Sequence, residues 1–301
     1  MDDRKISSSV FGNGGPEVTA VGLGGEGVLR TFGRDREAEQ VILEAILQGV
    51  TYFDSARVYA GSEEYYGTIW SRHPEMRNKV FQTSKSPSRD KKGALADLKT
   101  SLATLRLDHL DLWQIHDLRT EDDYAAISGP GGALEAFLQA KREGRTRFIG
   151  VTGHHDPYLL TKAINEWPVD SVLLPVNPVE AALEGFLDTA LPAAKKKGLA
   201  VIAMKVLGAG HYLFPDQGIT AEILIRFALS QETTVVIAGC ATRKEVQTLA
   251  SAGRVGLSPE AFRSGTTGGS RHRDDPQAIQ EQRRAAGTTA PSGLNGAVAA
   301  D

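Results

Sequence analysis

The sequence has one cysteine, Cys240. No internal disulfide can form, and a fold that rests on its core alone fits a reducing compartment. There is no apolar run near the ~20 residues that a membrane span needs. Met1–Gly15 also lacks the apolar core of a signal peptide. These absences lead us to expect a cytoplasmic protein with no membrane partner. A charge excess is missing too, since 34 Lys and Arg stand against 37 Asp and Glu, a net charge of −3. Nothing in that balance favours nucleic acid as a partner. What remains is 301 residues, 41% hydrophobic and 24% charged, globular values at a length suited to an α/β barrel.

Along the chain, strand-like runs alternate with helical periods. Val18–Gly22 is a short apolar strand candidate, preceded by a hairpin turn at Gly12-Asn-Gly-Gly. Asp35–Gln48 carries Ala38, Val41, Ile42, Ala45 and Ile46 on one helical face and is stopped by Gly49. The expected strands that follow are Thr51–Asp54, Lys79–Lys85, His109–His116, Arg147–Gly153, Val169–Asn177, Leu199–Val206 and Thr233–Gly239. The expected helices between and after them are Ser62–Arg72, Asp90–Leu105, Ala133–Glu143, one capped by Asp156 with Pro157 first, Glu184–Lys197, Thr220–Ser230 and Thr242–Ala252. Counted from Val18, this makes eight strand–helix units, the pattern of a closed (β/α)₈ TIM barrel.

Such a barrel collects its reactive groups where strands end and loops begin. Here those ends carry Asp54, Lys85, His116, Thr152-Gly153 and Asn177, and Tyr59 stands five residues beyond Asp54. A phenol of pKa ~10 is a poor proton donor at neutral pH unless a cation stabilises its phenolate. Lys85 is that cation. From Ser258 to Asp301 the chain turns to Gly, Ser, Thr, Ala, Arg and Pro with no sustained period. That composition buries too little surface to offset ordering entropy. The expected division is a barrel over 1–256 and a disordered C-terminal tail over 257–301.

The stretch Tyr52-Phe-Asp-Ser-Ala-Arg-Val-Tyr-Ala-Gly-Ser-Glu63 resembles the signature of the aldo-keto reductase family. The chain is similar to that family also at Val18–Gly25, Phe81-Gln-Thr-Ser-Lys85, Leu105–His116 and Gly144–Thr152. The resemblance covers Ile6–Gly256 and implies an oxidoreductase that reduces a small aldehyde or ketone to an alcohol with NADPH, NADH being less favoured. It implies Tyr59 as proton donor, Lys85 paired with Asp54 to lower the Tyr59 pKa, and His116 to orient the carbonyl. It places the cofactor on Gly24, Gly25, Asp54, Thr152, Asn177, Met204, Lys205, Gly239, Thr242, Arg243 and Lys244. Departures from the family pattern fall among these cofactor positions. Thr152-Gly153 replaces Ser-Asn, Leu173 replaces a glutamine, Met204 replaces a stacking aromatic, and the arginine that clamps the adenosine phosphate aligns near Glu245, which Arg243 and Lys244 adjoin. The resemblance also admits an alternative, a cofactor-sensing regulatory subunit with little turnover.

Other patterns carry less. Gly22-Leu-Gly-Gly-Glu-Gly27 has the spacing of a dinucleotide fingerprint, but Val28–Arg34 intervenes before any helical period. Tyr158 and Lys162 have the spacing of short-chain dehydrogenases but lie on the helix capped by Asp156. His154 and His155 suggest a metal, but adjacent side chains of an extended chain point apart, and no Cys or acidic cluster joins them. They are expected to form a lip over the site, with no metal.

Overall fold

A computed structural model describes residues 5–183 and 185–254. The tail expected over 257–301 lies outside them. The first strands, β1 (Ser8–Val10) and β2 (Glu17–Thr19), pair antiparallel as a separate hairpin. There follow β3 (Val21–Gly27), a 3₁₀ turn (Val28–Arg30), α1 (Asp35–Leu47), β4 (Tyr52–Phe53), α2 (Ser62–Arg72), α3 (Pro74–Arg77), β5 (Phe81–Ser86) and α4 (Lys91–Leu105). The second half continues with β6 (Leu110–Ile115), α5 (Glu121–Ser128), α6 (Ala133–Arg142), β7 (Thr146–Thr152), α7 (Pro157–Glu166) and β8 (Ser171–Pro175). It ends with α8 (Pro178–Leu183), α9 (Ala190–Lys197), β9 (Ala200–Met204), α10 (Ala221–Ser230), β10 (Val235–Cys240) and α11 (Arg243–Arg254). Strands β3 to β10 close into a parallel barrel, β10 pairing with both β3 and β9. The chain is a (β/α)₈ barrel.

Two apolar regions hold it. Outside the strands, one continuous core packs helix faces on the barrel, as where Trp113 of β6 stacks on Phe137 of α6 with ring centroids 3.6 Å apart. Inside the barrel a smaller cluster gathers Tyr52, Phe81, Leu112, Leu173, Ile202 and Val235. The hairpin supplies Phe11 and Val18 to that inner cluster, with the Phe11 ring 4.6 Å from Phe81. It therefore plugs the end at which the strands start and leaves the other end as the mouth. The single strand expected at Val18–Gly22 is divided at Ala20 between hairpin and barrel.

Local signals set most boundaries. Asp90 accepts from Gly93 N–H, Asp156 from the N–H groups of Tyr158 and Leu159, and Thr220 from Ile223 N–H, each satisfying a free donor of the helix it opens. Gly198, at φ 73°, closes α9. The helix expected from Glu184 instead starts at Ala190. Asp188 accepts from Gly185 N–H and Thr189 donates to Gly185 C=O, so side chains hold the segment ahead of α9 as a turn. Glu184 itself lies outside the described residues. Gly22–Gly27 is a barrel strand, not a strand-to-helix phosphate loop.

Candidate active site

The loop from Asp54 to Gly61 is pinned at both ends before it reaches Tyr59. Arg57 N–H donates to Lys85 C=O at 3.0 Å, and the Arg57 side chain pairs with Glu63, buried at the start of α2. The other oxygen of Glu63 takes a 2.6 Å hydrogen bond from Ser84 Oγ of β5. Ser55 Oγ donates to Ser62 Oγ at 2.9 Å across the loop. Gly61 sits at φ 68°, and a Cβ there would come within 2.0 Å of Thr31 C=O, so glycine is required. The result is a half-buried Tyr59 ring held over the mouth. Gly25 of β3 leaves room for that ring, since a Cβ there would stand 2.6 Å from Tyr59 Cδ2.

Four of the residues singled out in the sequence come together. Lys85 Nζ lies 4.7 Å from the Tyr59 ring centroid and donates to Asp54 Oδ2 at 2.6 Å and to Ser55 C=O at 2.8 Å. The His116 ring meets Tyr59 edge-on, centroids 5.6 Å apart. Lys85 and Asp54 are buried, with side chains 0% and 1% exposed, so neither charge is tolerable without the other. Burial disfavours the Lys85 ammonium, but Asp54 and then Tyr59 outweigh it and hold its pKa above the ordinary lysine value. Burial and the Lys85 charge push the His116 imidazole down to about 3, so it is neutral at neutral pH. Tyr59 differs from expectation. Burial raises its pKa, and the Lys85 ammonium pulls it back only in part, so the net direction is upward. The phenol therefore stays protonated, with a cation beside the oxygen where charge appears once the proton leaves.

Two residues that sequence reasoning passed over belong to this arrangement. Thr83 Oγ1 donates to Asp54 Oδ1 at 2.9 Å. Thr83 is two residues before Lys85 on one strand, hence on the same inward face, and that period was the available signal. Arg89 donates to the C=O groups of His116 and Asp117 at 2.6 and 2.7 Å and pairs with Asp123 of α5, setting the loop after β6.

The remaining positions lie along the rim. Thr152, Met204 and Gly239 belong to the last residues of β7, β9 and β10, and Asn177 and Lys205 follow β8 and β9. Thr152 Oγ1 accepts from Asp117 N–H at 2.7 Å. The Asn177 amide donates to Lys205 C=O and accepts from Glu180 N–H, so it caps α8. Gly24 and Gly239 have a packing reason in the approach of β3 to β10: a Cβ would come within 2.9 Å of the Ala238 carbonyl carbon in the first case and 2.7 Å of Glu26 in the second. At the start of α11, Arg243 is turned onto Glu44 of α1, with nitrogens 2.7 and 2.6 Å from the same carboxylate oxygen. Thr242 Oγ1 accepts from Glu245 N–H while the Glu245 carboxylate accepts from Ala241 N–H. That reciprocal cap occupies two backbone donors at the start of α11.

His154 and His155 do not point apart. Their rings lie 4.1 Å centroid to centroid, and both Nε2 atoms face Asp117 Oδ1, at 3.1 and 3.4 Å. They sit in a bend, where the alternation of an extended strand does not apply. Burial raises the Asp117 pKa, but His154 and Arg119 hold it below the usual carboxylate range.

Comparison with known proteins agrees with this geometry. The sequence model of the aldo/keto reductase family matches residues 20–214. The chain is 30% identical over 233 residues to an L-galactose dehydrogenase of Arabidopsis thaliana, covering 71% of this chain and 69% of that protein. It is 26% identical over 234 residues to an aldo-keto reductase of Strobilurus tenacellus, covering 72% and 65%. The matches thus span about two thirds of the length of these curated relatives. An aldo/keto reductase of Klebsiella pneumoniae, solved with NADP and acetate, superposes with a TM-score of 0.69 over 86% of this chain and 94% of its own, at 22% identity. The chain belongs to the aldo/keto reductase family, a family of oxidoreductases.

Proposed function

We propose that this member of the family reduces an aldehyde or ketone to an alcohol with NADPH, Tyr59 giving the proton. The observation that carries the reading is the Tyr59 phenol packed against a lysine whose charge is secured by a buried aspartate. A cation about 4 Å away at an effective dielectric of ~20 is worth ~4 kcal/mol to a developing phenolate. That interaction grows as the proton leaves, so it lowers the barrier rather than merely binding substrate.

The rim suits a dinucleotide in the chemistry of its groups. It offers a hydroxyl at Thr152, an amide at Asn177, a thioether at Met204 and cations at Lys205 and Lys244. Thr152 and Asn177 would hold the nicotinamide amide, Met204 its ring, and Lys205, Thr242 and Lys244 the phosphates. The NADP in the Klebsiella pneumoniae relative supports this choice. NADPH supplies the hydride, and the chain supplies alignment and electrostatics. Tyr59 donates its proton to the carbonyl oxygen, Lys85 stabilises the phenolate, and solvent reprotonates it. Neutral His116 offers a ring N–H that fixes the carbonyl without competing as an acid. Sugars are the first substrates to try, because one relative is named for a sugar.

The test is loss of NADPH absorbance against sugars, methylglyoxal, aromatic aldehydes and ketosteroids. Turnover of one class is expected. Tight NADPH binding with negligible oxidation across the panel would instead identify a cofactor sensor.

A further inference from the structure

We propose that Asp117, His154 and His155 form a binding site for a divalent transition metal of the zinc class, bridging the loops after β6 and β7. Each of the three side chains offers one ligand atom, and these atoms lie within 4.8 Å of one another. Metal–ligand bonds of about 2.0–2.1 Å around a tetrahedral centre put neighbouring ligand atoms ~3.3 Å apart. The observed 3.1 and 3.4 Å separations from Asp117 Oδ1 fall on either side of that value.

A second observation distinguishes this cluster from a plain ion-pair network. Asp117 Oδ1 is buried and has no hydrogen bond, although two imidazole nitrogens lie within 3.4 Å of it. The other carboxylate oxygen is held by Arg119 Nε at 2.7 Å, and Asp117 N–H is held by Thr152 Oγ1 at 2.7 Å. These outer contacts orient the carboxylate as supports around a metal do. The backbone of Asp117 is fixed at φ 61°, which few side chains other than Asp and Asn adopt readily. Two imidazoles and one carboxylate leave a fourth position for water, the ligand set of an open zinc site.

One contact opposes binding. Lys205 Nζ lies 3.1 Å from His154 Nδ1, and an ammonium there acts as the donor. The neutral ring then carries its hydrogen on Nε2. Metal binding at Nε2 transfers that hydrogen to Nδ1, and Lys205 must swing into solvent. The site is thus of moderate affinity, and removal of the Lys205 charge tightens it.

The experiment is titration of the full-length, tag-free chain with Co²⁺, read by visible absorption, followed by Zn²⁺ competition. One Co²⁺ per chain with the intense bands of a tetrahedral centre is expected, lost when Zn²⁺ is added. Zn²⁺ should raise the melting temperature of the wild type. His155→Gln should weaken Co²⁺ binding at least about tenfold and abolish the Zn²⁺-dependent rise, with circular dichroism unchanged. His154→Gln should do the same, so a folding defect in one variant leaves the other to decide. Lys205→Met should bind more tightly than wild type. Absence of tetrahedral bands in the wild type, equal affinity in both histidine variants, or weaker binding by Lys205→Met would each overturn the assignment.

Discussion

Thr83 Oγ1 donates to Oδ1 of Asp54 over 2.9 Å, leaving Oδ2 of the same carboxylate to Lys85. Asp54 therefore has its position set by a neutral donor and its charge balanced by a cation. Valine at 83 keeps the shape and removes the donor. Thr83→Val is expected to lower unfolding stability by about 1–3 kcal/mol, the penalty for an unmet buried acceptor. It should also lower kcat roughly two- to tenfold as the carboxylate that holds Lys85 loosens, the equivalent of an ordinary hydrogen bond. NADPH affinity should not change. Denaturant unfolding and steady-state kinetics check both parts, and an unaltered kcat would remove Thr83 from the site.

Arg243 and Glu44 lead to a prediction about cofactor preference. NADPH is expected to bind more tightly than NADH, with the cations at the start of α11 meeting the extra phosphate. Arg243 is held back by Glu44, whose side chain is only 1% exposed. Glu44→Gln weakens that hold, so it should increase the ratio of NADH to NADPH dissociation constants, read by fluorescence titration. Equal constants for the two cofactors in the wild type would refute the phosphate reading.

The same pair predicts a pH dependence. Burial raises the Glu44 pKa, but Gln247, Gln48 and Arg243 outweigh it and hold the folded value below the ordinary one. A carboxylate lowered on folding stabilises the protein above its unfolded pKa of ~4.3 and ceases to do so as pH falls through the folded value. Acid unfolding should accordingly show a flatter stability loss below pH ~4.3 in Glu44→Gln than in wild type. Parallel curves would contradict it.

The barrel was legible in the sequence because each βα unit is a local pattern. Asp156-Pro157 opens a helix, Gly198 closes one, and Leu110–Ile115 is a largely apolar segment of strand length. The convergence of Asp54, Tyr59, Lys85 and His116 was legible for the same reason, since barrel topology converts strand ends into neighbours. What escaped depends on partners far apart in the chain. The pairing of Arg243 with Glu44, 199 residues earlier, is one such contact, since inspection of the chain cannot join the two. The histidine pair read as divergent because the alternation rule was applied to a bend. The Tyr59 pKa was expected to fall because the charge of Lys85 is visible in sequence and the burial of the ring is not.

Barrel closure by β10 on β3, with α11 packed behind them, occurs entirely before Gly256. A chain ending at Gly256 is expected to fold, with a melting temperature close to that of the full chain and an altered substrate range. Aggregation of the truncated chain, or a large fall in melting temperature, would show that Ser258–Asp301 contributes to stability.

The most direct test of the central claim is single-turnover and steady-state reduction of a good aldehyde by Tyr59→Phe, with the NADPH dissociation constant measured beside it. Phenylalanine keeps the ring against Gly25 and deletes only the hydroxyl. Loss of a positioned general acid should reduce turnover by ~10²–10⁴-fold with cofactor binding nearly intact. Lys85→Met should be similarly damaging, and the double variant should be little worse than either, because the two residues act as one unit. Reduction by Tyr59→Phe at near wild-type rate would contradict the assignment of the proton donor.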